Sequence, residues 1–135
     1  MNVREFSFST VIAAGGTIVS SWLGGWDAAL RLLVVLMVMD YTTGLLGAIK
    51  DHKVDSEVMY WGGIRKGIIL VVLAVAVLLD QMVDNFEPIF RTLTIYFYVS
   101  REGISVTENL GILGVPLPPG IRRVLAQLQE NEQNE

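Results

Sequence analysis

The sequence predicts an all-α integral membrane protein, a helical bundle of four transmembrane helices with a short amphipathic helix near the C-terminus. Of the 135 residues, 52% are hydrophobic, and the mean hydropathy of +0.49 is high for a soluble domain of this size. Several apolar stretches reach about 20 residues, the helix length that crosses a hydrocarbon core of about 30 Å. Polar residues interrupt these stretches at helical spacing. Three spans, with the first segment outside the membrane, are the alternative.

The first two apolar segments differ in composition. Residues 8–23 are rich in Gly, Ala, Ser and Thr, and such small side chains let helix backbones approach closely in lipid. Gly24, Gly25 and Asp27 then predict a tight turn. Residues 29–49 form the clearest span, because about 21 residues at 1.5 Å each match the thickness of the hydrocarbon core.

A charged loop over residues 50–60 leads to the third segment, residues 63–83. Gly63 and Gly67 form a G-x-x-x-G pair there, a pattern that favours close helix packing. Asp80 lies near the far end of the segment, where the favoured interpretation is that its carboxylate simply reaches water.

The fourth segment, residues 89–113, carries its polar side chains on one helical face. The three charges of Arg101, Glu102 and Glu108 would cost roughly 5–10 kcal/mol if they were isolated in lipid. The segment therefore pairs Arg101 with a carboxylate, faces a water-filled lumen, or lies in the membrane interface.

Polar and small residues inside the apolar segments are the candidate functional residues. One charge in hydrocarbon costs about 2.5–3.5 kcal/mol on insertion scales, so such residues are seldom retained without a role in helix assembly or in a water path. The alternatives are that Asp40 only anchors a static bundle by hydrogen bonds and that Arg101 and Glu102 form only an internal ion pair. The candidates are Asp40, Thr43, Gly44, Asp80, Arg101, Glu102, Ser105, Glu108 and Asn109.

Basic residues set the predicted orientation. They cluster in the loop between the second and third segments and again after the fourth, and the positive-inside rule places both clusters in the cytoplasm. With four spans, both termini then lie on the cytoplasmic side. The residues are Lys50, Lys53, Arg65, Lys66, Arg122 and Arg123.

The chain is expected to form one transmembrane domain over residues 1–128 and a polar, disordered tail over residues 129–135. A short helix with an apolar stripe closes the domain. The stripe consists of Ile121, Val124, Leu125 and Leu128. Arg4 before an apolar run resembles the start of a signal peptide, but a retained first helix is favoured because no clear small-x-small cleavage site follows.

The composition excludes several functional classes. Without cysteine the chain has no disulfide, thiolate metal site or cysteine nucleophile, and its one histidine, His52, cannot form a histidine cluster. We expect no cofactor, no metal and no enzymatic activity. The net charge of −4 gives no electrostatic basis for binding nucleic acid.

Several sequence blocks, in order and spacing, resemble the toxin-secretion/phage-lysis holin family. Arg101 departs from that pattern, at a position where a small or neutral polar residue is expected. The blocks are residues 39–44 (MDYTTG), 62–66 (GGIRK), Asp80, 98–105 (YVSREGIS), 108–110 (ENL) and 114–118 (GVPLP).

The resemblance implies a phage holin, a protein that oligomerises in the bacterial inner membrane and then forms lesions that release an endolysin, or a toxin, at a timed point. It implies as partners further copies of the chain, the lipid bilayer, an endolysin and an antiholin. Two other functions stay open: a small ion or proton channel or transporter, in which Asp40 and Glu102 relay charge, and an antiholin or membrane scaffold.

Overall fold

The computed structural model describes residues 2–134 and contains five helices, with no strand in that range. This confirms the all-α prediction. The two helices α2 and α3 are long and apolar enough to cross a membrane. Because α1 and α4 do not meet the same requirement of length and apolar composition, the four-span arrangement stays a prediction. The helices are α1 (Val3–Trp22), α2 (Ala28–Lys50), α3 (Ser56–Met82), α4 (Ile89–Ile112) and α5 (Pro119–Gln133).

Aspartate side chains define where α2 and α3 begin. Asp27 accepts a hydrogen bond from the backbone N–H of Leu30 at 2.9 Å, and Asp55 accepts one from that of Glu57 at 2.8 Å. Each carboxylate therefore satisfies a free amide of the first helical turn. For this reason α3 begins at Ser56 rather than at Gly63, and part of the predicted charged loop is helical.

Helix α4 packs against both α2 and α3 and forms the centre of a three-helix core. Helices α2 and α4 run parallel, since Asp27 contacts Arg91 near the starts of both helices and Lys50 contacts Ile112 at their ends. Helix α3 runs in the opposite direction. The buried apolar cluster lies between these helices, and its members are Leu23, Leu30, Leu33, Met37, Leu73 and Ile95.

The outer faces of α2 and α3 remain apolar and uncovered. Val38 is 60% exposed, and Val71 and Leu78 are each 62% exposed. Apolar side chains that point away from the core in this number are suited to lipid rather than to water. The three-helix core is therefore built to be solvated by a bilayer.

Helix α1 lies at the periphery, because none of its residues is buried. Its hydroxyl groups donate to carbonyl oxygens of the preceding turn, as Thr10 does to Phe6 at 2.7 Å and Thr17 to Ala13 at 2.8 Å. These hydroxyls thus need no outside partner. Gly16, in the middle of the small-residue segment, faces open space, so the chain itself makes no close helix contact there.

Helix α5 packs against α4 and extends to Gln133. It thus includes most of the segment assigned to a polar tail, and the division at residue 128 stays a prediction. Ile121 and Val124 of the apolar stripe are exposed. The side chains of Leu125 and Leu128 lie outside the described residues, as does Glu135.

Candidate functional site

An ion network joins the middles of the three core helices. The ammonium Nζ of Lys66 on α3 lies 2.6 Å from Oδ2 of Asp40 on α2 and 2.5 Å from Oε2 of Glu102 on α4. The three side chains are only 16%, 15% and 9% exposed. One ammonium therefore holds two carboxylates, and the network carries one formal negative charge when all three groups are ionised.

The position of this network along the helices explains why its members pair. Asp40 precedes the end of α2 at Lys50 by about 15 Å at 1.5 Å per residue, well inside the apolar part of the helix. At that depth a lone charge is costly, and mutual pairing removes much of the cost. Burial of these groups is thus compatible with insertion only if all three stay together.

Asn109 extends the network along α4. Its Nδ2 group lies 2.9 Å from Oδ1 of Asp40 and 3.0 Å from Oγ1 of Thr43. The Thr43 hydroxyl donates its own hydrogen to the Met39 carbonyl at 2.7 Å, which leaves the oxygen free to accept from Asn109. We call the five residues Asp40, Thr43, Lys66, Glu102 and Asn109 the polar seam.

Two glycines lie on the face of α2 that packs closely against α4. A methyl group built on Gly44 would lie 3.5 Å from Nδ2 of Asn109, and one on Gly47 would lie 3.4 Å from Cγ2 of Ile112. These are ordinary contact distances, and a larger side chain would separate the helices. By contrast, Gly67 faces open space, and Gly63 approaches only the ring of Tyr41, at 3.9 Å. Within the chain, the glycines that face a neighbouring helix most closely are therefore Gly44 and Gly47 rather than the G-x-x-x-G pair.

An open groove of about 640 Å³ runs beside the polar seam. Ser105 lines it, as do Arg101 and Arg65. Arg101 is exposed, and its guanidinium carbon lies 5.7 Å from the centroid of the Phe97 ring. The partner of Glu102 is therefore Lys66, and of the three alternatives for the fourth segment, the pairing of Arg101 with a carboxylate does not occur among the described residues. Glu108 is exposed to solvent or lipid.

Asp80 does not reach water as we expected, but is buried with 6% exposure. Its carboxylate accepts hydrogen bonds from the backbone N–H groups of Phe90 and Arg91, at 2.9 and 2.8 Å, and from the Asn85 side chain at 3.0 Å. The first amides of a helix lack partners within the helix, and a carboxylate there also complements the helix dipole. Asp80 thus caps α4 from the end of α3.

Arg91, near the start of α4, forms hydrogen bonds with the turn between α1 and α2. Its guanidinium donates to the carbonyl oxygens of Leu23 at 2.6 Å and Gly25 at 3.0 Å, and pairs with Asp27 at 2.7 and 3.1 Å. The Arg91 hydrogen bonds lower the pKa of the Asp27 carboxyl to about 2. The sequence analysis did not predict this site. Two of the partners of Arg91 are backbone carbonyls, and because every residue has one, the sequence contains no pattern that identifies them.

The two glycines of this turn have left-handed backbones, with φ of +84° at Gly24 and +100° at Gly25, which confirms the predicted turn. Gly24 also lies directly against Arg91, since a methyl group there would be 2.5 Å from Nε. The guanidinium thus needs glycine at this position both for backbone conformation and for space.

The basic residues assigned to topology have different environments. Lys50 donates to the carbonyl of Ile112 at the end of α4, at 2.7 Å, whereas Lys53 and Arg65 are exposed. Lys66 belongs to the polar seam, a contact that the sequence analysis did not predict, and its assignment to topology stays a prediction. The signal that could have revealed it is a lysine inside the predicted third segment. Arg122 and Arg123 lie exposed on α5.

These features define a class of protein: a small membrane protein of apolar helices with a buried polar seam. No group of three or more His, Cys, Asp or Glu suitable for a metal ion occurs among residues 2–134 that the structure describes. The sequence profile of the bacteriophage holin family matches residues 17–130, and the chain belongs to that family. It is a family of membrane proteins rather than of enzymes.

Individual relatives support this assignment. An uncharacterised 14.9 kDa protein of Clostridium perfringens is 42% identical, over 90% of this chain and 92% of its own length. The YqxH protein of Bacillus subtilis is 34% identical over 84% of this chain and 80% of its own length. A protein of Bacillus phage phi105 with the name "Probable holin" is 34% identical over 75% and 74% of the two chains. No solved structure matches this chain.

Proposed function

We propose that this protein is a holin that oligomerises in the bacterial inner membrane and forms lesions through which an endolysin, or a toxin, leaves the cytoplasm. Family membership and the phage phi105 relative support a holin role. The observation that carries the mechanism is the polar seam, in which Lys66 holds both Asp40 and Glu102 between three helices.

In a single copy the seam keeps its charges away from lipid. Each member has a partner on a neighbouring helix, so separating α4 from α2 or α3 in lipid would expose an unpaired charge at large cost. Water in an oligomeric lesion would solvate the same groups and remove that cost. The seam therefore stabilises the closed bundle in lipid and allows the helices to rearrange once water reaches them.

The membrane potential provides a trigger for this rearrangement. It acts on charges at about 2.3 kcal/mol per charge per 100 mV. The polar seam contains two carboxylates but only one ammonium. Its formal charge is therefore not zero, and the field acts on it. Collapse of the potential would shift a closed bundle toward the lesion, which accounts for sudden release at a timed point.

The proposed orientation places the end of the bundle near Lys50 and Lys53 in the cytoplasm, together with α5 and its Arg122 and Arg123. Four spans with both termini in the cytoplasm place all of these basic residues on the cytoplasmic side, as the positive-inside rule requires. The Arg91 site then lies at the outer surface of the inner membrane. The proposed partners are other copies of the chain, the bilayer, an endolysin and an antiholin.

Inducible expression together with a cytoplasmic endolysin that lacks an export signal tests this function. Turbidity and the release of a large cytoplasmic enzyme are followed in the same culture. Abrupt lysis that needs both proteins supports a protein-sized lesion. Depolarisation without enzyme release would instead identify a small channel. Absence of both effects, with delayed lysis when a working holin is co-expressed, would identify an antiholin.

A further inference from the structure

The groove beside the polar seam contains two arginines that form no ion pair with any described residue. Arg65 on α3 and Arg101 on α4 both line it and both are exposed. The third cation of the groove, Lys66, is already bound to Asp40 and Glu102. Three cations thus face two carboxylates, and the unsatisfied charge of the groove is positive.

The depth of Arg65 indicates what the partner of the two arginines is. Tyr60 and Trp61 are 66% and 50% exposed, with ring centroids 6.1 Å apart, as expected of an aromatic pair at the membrane interface. Arg65 follows Trp61 by one turn, about 6 Å deeper, within reach of the headgroups for a long side chain. A guanidinium at this level needs an anionic acceptor, and phosphate oxygens match its geometry.

The walls of the groove below the arginines are apolar. Ile68 and Phe97 line it and are 52% and 47% exposed. Their surfaces continue into the lipid-facing outer face of α3. A ligand for this groove therefore combines an anionic head with an apolar chain.

We propose that this groove binds one anionic phospholipid, with its phosphate on Arg65 and Arg101 and an acyl chain along the apolar wall formed by α3 and α4. A zwitterionic lipid offers the same phosphate but adds a cation, which the excess positive charge of the groove disfavours. Lipid binding at this groove depends on membrane insertion but not on the proposed formation of lesions.

Lipid retention by the purified full-length chain tests the proposal. The protein is reconstituted with equal amounts of spin-labelled phosphatidylglycerol and phosphatidylcholine in separate samples, and the motionally restricted lipid is quantified. We expect the preference for phosphatidylglycerol to fall roughly tenfold in the Arg65→Gln/Arg101→Gln variant, because the excess positive charge that favours the anionic lipid is then lost. The Arg65→Lys/Arg101→Lys variant should retain part of the preference, because it keeps the charge but not the fork geometry.

The matched control is Arg122→Gln/Arg123→Gln, which removes the same charge from α5 and leaves the groove intact. Unchanged preference in this control supports a specific site. Equal loss in both glutamine variants would reduce the effect to general surface attraction and overturn the proposal. Chemical cross-linking of the Arg65→Gln/Arg101→Gln variant provides a further outcome. If its lipid preference is unchanged while its cross-linked oligomers differ from those of the wild type, carboxylates of a second copy bind these arginines, which also overturns the proposal. Helix content by circular dichroism verifies that every variant is folded.

Discussion

Lys66 on α3 binds Glu102 on α4 at 2.5 Å, and the same ammonium binds Asp40 on α2 at 2.6 Å. One side chain thus neutralises part of the charge of two other helices. Helix α4 packs against both α2 and α3 whereas those two helices contact each other less, so the Lys66–Asp40 ion pair joins two helices that share little other contact. The stability of the closed bundle therefore depends on Lys66 more than on either carboxylate.

Replacing Lys66 by Met should destabilise the purified protein by about 3–5 kcal/mol, since it leaves two carboxylates close together without their cation. The measurement is unfolding in detergent by a denaturant titration that follows helix content. Lys66→Arg keeps the charge and should lose much less. Arg65→Met, one residue away and exposed, is the matched control. Equal stability of Lys66→Met and this control would contradict the role of the network.

Replacing Asp40 by Asn should leave the bundle folded but change the timing of lysis. The variant retains a one-to-one pair of Lys66 with Glu102, and its side-chain oxygen can still accept from Asn109. However, it removes one of the charges in the bundle on which the membrane potential acts. Lysis time after induction is the measurement, with Glu87→Gln in the exposed turn before α4 as the control. Unchanged lysis timing in a variant that inserts normally would contradict the proposed role of the membrane potential as the trigger.

Removing Arg91 should release the turn between α1 and α2. Arg91→Met loses its hydrogen bonds to Leu23, Gly25 and Asp27, and we expect a loss of about 2–4 kcal/mol, because buried acceptors are then left unpaired. Amide hydrogen exchange over residues 23–27 should become faster, while the middle of α2 stays protected. Arg31→Met, on an exposed position of α2, is the control. Unaltered exchange in the turn would show that Arg91 does not hold it.

The Asp27 carboxyl gives this same turn a defined dependence on pH. Its pKa in the folded protein is about 2, below the ordinary value of 3.8, because it is hydrogen-bonded to Arg91. A lowered pKa stabilises the folded state above the ordinary value, and this contribution disappears as the pH falls through about 2. The difference in stability between the wild type and Asp27→Asn should therefore be present near pH 6 and should shrink between about pH 4 and pH 2. A constant difference over this range would contradict the pairing. Since the side chain is 50% exposed, we expect a small effect.

How much the sequence predicts differs between the helices and the site. Stretches of apolar residues predict the bounds of α2 and α4 within a residue or two, because length and hydropathy are local properties. Asp40 stands out in the same way, as a single charge within apolar surroundings, and Glu102 stands out as one of the three charges of the fourth segment. Lys66 does not, because it adjoins Arg65 and the aromatic pair and so has the pattern of a topology signal. Only the packing of three helices shows which of the two cations faces the carboxylates.

The capping role of Asp80 and the anchoring role of Arg91 could not be predicted for a related reason. Both side chains bind backbone groups of residues distant in the chain, and a backbone amide or carbonyl has no residue identity to recognise. Asp55 is a clearer case, since an acidic residue before a helix start is a known capping pattern. That pattern was present in the sequence, although the charged composition of the segment favoured a loop.

Alanine substitutions at the two glycines of the α1–α2 turn should separate backbone strain from contact with Arg91. Both residues have a left-handed backbone, so each substitution should cost about 1 kcal/mol for conformation alone. Gly25→Ala meets open space, whereas the new methyl group of Gly24→Ala would lie 2.5 Å from Nε of Arg91, a side chain held by several hydrogen bonds. Gly24→Ala should therefore be the more destabilising by about 1–3 kcal/mol in the same detergent unfolding measurement. In an Arg91→Met background this excess should largely disappear, because the crowded guanidinium is gone. An excess that persists without Arg91 would assign the cost to the backbone instead.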